Sequence, residues 1–153
     1  MKAKFFLFAL VFVLTSCNKN IVHDEFNRDF TDNRWESKDV MSFEFENKQP
    51  KEACELKLHF GHICGFQFKE VPLEVEITTP DGKTETITVV LKLVDDSGKD
   101  IGDCTGDICD VFEIIKIFDK LEKGKYTITI KNKFEGPYLP NVLGLGILLE
   151  KQK

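Results

Sequence analysis

From Val40 onward apolar and polar residues alternate with a period of two, the pattern of strands that bury one face and wet the other. Met41, Phe43 and Phe45 alternate with Ser42, Glu44 and Glu46, and Cys54, Leu56, Leu58 and Phe60 alternate with Glu55, Lys57 and His59. Leu73, Val75 and Ile77 alternate with Glu74, Glu76 and Thr78. Thr79-Pro80-Asp81-Gly82 then predicts a tight reversal, so the following strand, about residues 84–94, should form a hairpin with its predecessor. Ile87, Val89, Leu91 and Leu93 share a face there. Residues 95–107 are a loop rich in Asp and Gly. Residues 108–118 are apolar and β-branched with weaker alternation, which leaves a strand or a short helix open. After a turn at Glu122-Lys123-Gly124-Lys125, Tyr126, Ile128 and Ile130 alternate with Thr127, Thr129 and Lys131. Beyond the loop at 136–140, Leu143, Leu145, Ile147 and Leu149 close the run. Gly144 and Gly146 lie on their opposite face, which implies close packing against a neighbour or a flat exposed surface. Seven or eight short strands with turns between them predict an all-β antiparallel sandwich, jelly-roll-like, over residues 40–153.

The first forty residues read differently. Met1-Lys2-Ala3-Lys4 leads into an apolar run over 5–14 and then Leu14-Thr15-Ser16-Cys17, the charged start, apolar middle and small residues of a bacterial secretory leader over 1–16. The run is too short to span a bilayer as a stable helix. Cys17 directly after the cut resembles a lipobox cysteine, whose thiol is acylated and which becomes the mature N-terminus. Residues 17–39 are polar and aperiodic and are expected to be a lipid-anchored tether. Trp35, the one tryptophan, should mark where that tether docks, because a large aromatic gains most from burial.

Charge narrows the partners. Lys2 and Lys4 leave with the leader, so the mature 137 residues carry 19 basic against 26 acidic side chains, a net −7. This excess argues against nucleic acid and against attraction to anionic headgroups, so membrane attachment would rest on the acyl chains at Cys17. With Cys17 acylated, Cys54, Cys64, Cys104 and Cys109 remain, an even number suited to an oxidising compartment. Three pairings exist. Cys54–Cys64 and Cys104–Cys109 are favoured because short loops close at the least entropic cost.

Catalytic signatures are missing. The three serines after the leader (Ser37, Ser42 and Ser97) lie in no Gly-x-Ser-x-Gly elbow, no His-Glu-x-x-His helix occurs, and no cofactor motif is present, so a non-enzymatic role is expected. Cys54, His59, His62 and Cys64 are zinc-type ligands in a spacing that matches no common finger, and a disulfide beside two surface histidines is the favoured reading. Asp95, Asp96, Asp100, Asp103, Asp107 and Asp110 suggest calcium at first sight, but the EF-hand register and its closing glutamate are absent, and Asp-Gly runs also serve turns. Phe60, Phe66 and Phe68, around Gly61 and Gly65, are expected to form an apolar loop surface for a partner. One Trp and two Tyr give a glycan-binding platform weaker support.

The order of features resembles the GldH-like gliding-motility lipoproteins of Bacteroidetes. The resemblance rests on the lipobox at Cys17, Asn33-Arg34-Trp35, the strand Asp39-Val40-Met41-Ser42-Phe43-Glu44-Phe45, and Pro72-Leu73-Glu74-Val75-Glu76-Ile77-Thr78-Thr79-Pro80-Asp81-Gly82-Lys83. It continues through Asp96-Ser97-Gly98-Lys99-Asp100-Ile101-Gly102, Gly106-Asp107-Ile108, Gly124-Lys125-Tyr126-Thr127-Ile128-Thr129-Ile130 and Leu143-Gly144-Leu145-Gly146-Ile147. It implies a lipid-anchored envelope protein, in the outer membrane, that acts with other motility proteins and with type nine secretion, and it carries over no catalytic residue. The alternative role is a surface lipoprotein that binds glycan in nutrient capture. One departure stands out: Gly61-His62-Ile63-Cys64-Gly65-Phe66-Gln67-Phe68 replaces a polar Asn-Asp-Tyr-Pro-like loop, and the additional cysteines are particular to this member.

Overall fold

A computed structural model describes residues 20–152, and within them the alternation resolves into eleven strands and one 3-10 turn at Thr31–Asn33. The strands are β1 (Ile21–Asn27), β2 (Arg34–Glu36), β3 (Val40–Asn47), β4 (Cys54–Ile63), β5 (Glu70–Thr78), β6 (Thr84–Lys92), β7 (Asp103–Thr105), β8 (Ile108–Phe118), β9 (Gly124–Asn132), β10 (Tyr138–Pro140) and β11 (Val142–Lys151). The leader and Cys17 lie outside the described residues.

One sheet has the order β1-β11-β4-β8-β7 and the other β3-β9-β5-β6, while β2 and β10 form a short ribbon. Every pairing is antiparallel. Without the three-residue strands, eight long strands remain, four to a sheet. The first of them pairs with the last, and the chain crosses to the other sheet at every step except β5 to β6. That connectivity is a jelly roll. The β5–β6 reversal turns at Gly82, whose φ of 80° lies in the left-handed region that glycine adopts without a steric penalty.

The core is the interleaving of the two inner faces. Phe43, Phe45, Leu73, Val75, Ile77, Leu91, Tyr126, Ile128 and Ile130 from the four-stranded sheet meet Leu56, Leu58, Phe60, Leu145, Ile147 and Leu149 from the other, all buried. Burial of each large side chain contributes about 1.5–3 kcal/mol. Trp35, fully buried, closes one end of the sandwich. Its indole N–H donates to the Asp39 carbonyl at 3.0 Å, and its backbone pairs with Leu139 across the β2–β10 ribbon.

Two expectations need correction here, and one open alternative is settled. Residues 17–39 are not a tether throughout: β1 adds to the edge of the five-stranded sheet along β11, and β2 carries the buried Trp35. Charged edge strands are a common way to discourage pairing with other chains, and the polar β1 gives no core periodicity to read. Residues 108–118 are a strand, not a helix. Their alternation is weak because β8 carries apolar side chains on both faces, places Glu113 and Lys116 opposite the buried Leu58 and Leu56, and has a bulge at Ile115, where Leu56 pairs with Lys116 and Lys57 with Ile114. Finally, Cys54 and Cys64 do not pair. They stand at opposite ends of the extended β4, about 30 Å apart at the usual rise per strand residue. The second favoured pair, Cys104–Cys109, is disulfide-bonded across β7 and β8.

Candidate functional site: the outer face of the five-stranded sheet

The two outer faces of the sandwich differ in chemistry. On the four-stranded sheet the outward positions are mostly Thr, Glu and Lys, tied by ion pairs such as Lys125–Glu44 at 2.9 Å and Lys131–Glu74 at 3.2 Å. On the five-stranded sheet, β8 turns Ile108, Phe112, Ile114 and Ile117 outward, each 47–51% exposed. Ile117 lies three residues beyond Ile114, an odd step that would turn it inward in a regular strand, and the bulge at Ile115 keeps it on this side. An apolar ribbon, broken only by Asp110, therefore follows β8 in water.

Aromatic rings extend it across the sheet. His59 of β4 pairs in register with Phe112 of β8 on one side and Gly146 of β11 on the other, and Gly146 pairs with Phe26 of β1. The rings stack in a row, Phe26 on His59 with centroids 4.0 Å apart and His59 on Phe112 at 4.2 Å. The glycines of β11 make the row fit. A Cβ at Gly144 would lie 2.2 Å from the Phe26 Cζ, so the missing side chain is the space into which that ring lies. Of the two readings of Gly144 and Gly146, close packing is the one found, against the Phe26 ring at the first and the Glu25 backbone at the second. His59 Nε2 lies 2.8 Å from Asp110 Oδ1, which fixes the imidazole edge, and Arg28 stands over the Phe26 ring at 5.2 Å. Phe26, Arg28, Gly61, Ile108, Asp110 and Leu143 line a shallow depression at one end of the row.

Beside the rings the face is charged. Lys57 sits between Glu55 and Glu150 with both contacts at 2.7 Å, and its hydrogen bonds to Glu150 and Glu55 hold its ammonium above the usual lysine range. An apolar ribbon, a ring row and a fixed ion triad on one sheet make a surface suited to recognition.

The residues singled out from sequence fall elsewhere. Phe60 and Phe66 are buried and Phe68 packs against the core, so they do not present the expected partner surface. Their loop folds inward because Phe66 rings meet Phe60, His62 and Phe68 edge-on. The zinc-type set is not assembled either, since Cys54 is at the far end of β4 and His59 points to the opposite face from His62. Asp95 closes its own turn, accepting from the Ser97 hydroxyl and from the backbone N–H groups of Ser97 and Lys99, and these bonds hold its carboxyl below the usual range. Asp100 accepts from the backbone of Gly65 and Phe66.

A separate cluster lies at the Ile63 end of β4. Cys64 Sγ is 2.8 Å from Cys109 Sγ, and Cys109 is bonded to Cys104. The fully buried His62 binds the Ile63 carbonyl through Nδ1 at 2.9 Å, which leaves Nε2 without a hydrogen-bond partner. Among the described residues, ligand atoms of His62, Asp100 and Cys109 lie within 4.8 Å of one another, as do the sulfurs of Cys64, Cys104 and Cys109.

Sequence reasoning missed the ring row and the ribbon. Their trace was the failed alternation over Ile108–Phe118, where apolar residues occupy outward as well as inward positions.

The family model described as GldH lipoprotein matches residues 22–149, from β1 to β11. A gliding motility lipoprotein GldH homolog of Christiangramia forsetii is 25% identical over 138 residues, covering 86% of this chain and 82% of that one. With both sheets and the ring row inside the matched span, the chain belongs to the GldH lipoprotein family, lipid-anchored proteins of the cell envelope.

Proposed function

We propose that the chain is a non-enzymatic interaction component of a gliding-motility apparatus, held at the outer membrane by acyl chains on Cys17. It docks another envelope motility protein, one linked to type nine secretion, through the outer face of the five-stranded sheet. The observation that carries the docking surface is the exposed ribbon Ile108, Phe112, Ile114 and Ile117 on one strand, set against a mostly polar face on the opposite sheet, where Val40 and Val90 are exposed singly. The motility role draws on the family match and on the relative in C. forsetii. The test is complementation. A gene deletion should abolish gliding and cargo secretion, the natural chain should restore both, and a Phe112→Asp/Ile114→Asp chain that reaches the envelope in normal amount should not. Restoration by that double variant would end the assignment of this face.

A second reading has one observation in its favour. The stacked Phe26, His59 and Phe112 offer ring faces and edges of the kind that sugars stack on. A glycan array with the mature domain separates the readings: binding that Phe112→Ala removes would support nutrient capture, and uniformly negative arrays would dismiss it.

A further inference from the structure

Three sulfurs share one corner of the sandwich, and their arrangement is unequal. Cys104 on the edge strand β7 is exposed, Cys109 on β8 is fully buried, and Cys64, just past β4, is half-buried. Cys104 and Cys109 are cross-strand partners and are disulfide-bonded. The Cys64 thiol nevertheless touches Cys109 Sγ at 2.8 Å, inside the contact distance of two unbonded sulfurs. It is held there from several sides. The Cys64 N–H donates to the Asp107 carbonyl at 3.0 Å, its thiol faces the Gly106 carbonyl at 3.5 Å, and Asp100 fastens the next two residues through their N–H groups.

A thiol held against one sulfur of a disulfide is the starting geometry of exchange. We infer that the disulfide of Cys109 migrates between two partners, Cys104 and Cys64. The Cys64 thiolate attacks Cys109 Sγ and forms the new bond with its own electron pair. The Cys104–Cys109 bond breaks, its pair leaves on Cys104 Sγ, and Cys104 takes up from solvent the proton that Cys64 gave up. One disulfide and one thiol stand on each side, so neither oxidant nor reductant is required. Loss of water around Cys64 and the nearby Asp100 and Asp107 carboxylates push its thiol up, so exchange runs through a minor thiolate.

The two forms fasten different parts of the fold. The Cys104 form staples β7 to β8 across five residues of sequence. The Cys64 form ties the β4–β5 loop to β8 across 45 residues and releases an exposed Cys104 thiol on a three-residue edge strand. The longer link constrains the unfolded chain more, which offsets the loss of the hairpin staple. While Cys109 is sulfur-bonded in both forms it supplies no thiolate to a metal ion, so the proximity of His62 and Asp100 does not compete with exchange. Exchange thus makes Cys104 a modification site for an electrophile such as a disulfide on a neighbouring protein.

The test needs only the mature oxidised protein. It is held at mildly alkaline pH without added thiol, quenched in acid, unfolded, alkylated with N-ethylmaleimide and peptide-mapped. Cys54, free in both forms, is the internal reference. We expect alkylated Cys64 and alkylated Cys104 in separate molecules, each above about a tenth of the total, with a linked Cys64–Cys109 peptide. Cys64→Ser should lower Cys104 labelling at least about tenfold, and Cys104→Ser should give the Cys64–Cys109 link in full. Natural protein in which Cys104 is never alkylated would overturn the inference, and this readout does not depend on any variant folding.

Discussion

The backbone oxygen of Glu25 stands 2.2 Å from where a Cβ on residue 146 would have to be, so the β1–β11 edge closes only over glycine. At Gly144 the obstacle is different, the tip of the Phe26 ring. A ring can swing aside, whereas a strand must move as a whole. Gly146→Ala should therefore destabilise the fold by about 2–3 kcal/mol and Gly144→Ala by about 1 kcal/mol. Urea unfolding of the two variants decides, and equal losses would mean that β1 is not held as described.

Trp35 gives the fold an internal reporter. Its indole is fully buried, so native fluorescence should be blue-shifted and should move to the red in one step on unfolding. Trp35→Ala should remove about 3–5 kcal/mol. A chain begun at Val40 should lose more, because it lacks the β1 edge and the β2–β10 closure as well. Circular dichroism of that truncated chain showing a native sheet would restore the tether reading.

Acid should act at the β5–β6 hairpin. Lys83 and the Thr79 hydroxyl hold the Asp81 carboxyl down at about 2. A carboxyl lowered on folding stabilises the native state above its unfolded value near 3.9, and that contribution disappears as pH falls through about 2. An NMR titration of Asp81 should show its midpoint near the lower figure, and Lys83→Met should raise it. An unchanged midpoint in that variant would remove Lys83 as the cause.

The outer ribbon should be dispensable for folding. Ile114 is half exposed and Phe112 nearly so, and the latter's ring contact is with His59. Phe112→Asp and Ile114→Asp should each change unfolding free energy by no more than about 1 kcal/mol, including the lost stacking. Crosslinking in the native envelope from a photoreactive side chain at residue 112 should capture one protein species that a probe on the polar face, at Thr129, does not. Identical capture from both faces would argue against a dedicated surface.

How far the sequence carried the fold depends on what each strand buries. Strands β3, β4, β5 and β9 put every second residue into a dry core, so their side chains alternate and can be read directly. β1 joins through backbone hydrogen bonds at an edge, where Asp24 and Glu25 face water, and hydropathy has nothing to register. β8 fails the same test for the opposite reason, because Ile108, Phe112, Ile114 and Ile117 add a second apolar face. The cysteine error has its own cause. Loop-closure entropy treats residues 54–64 as flexible chain, but β4 holds them straight and carries Cys64 to Cys109 instead.

The early start of β1 sets a short leash. If the acyl chains sit on Cys17, only 18–20 separate them from Ile21, a reach of no more than about 14 Å even fully extended. Ile21 pairs with Glu150, at the end of the sandwich where Cys54 and Phe118 also meet. That end would rest close to the bilayer, and the domain would stand on it like a post with the strands rising from the surface. The other end, about 30 Å higher by strand length, carries the three sulfurs and the six aspartates between 95 and 110. Anchored so, the chain would present to the space beyond the membrane an acidic, sulfur-bearing tip, with the ring row on its flank for whatever stands beside it.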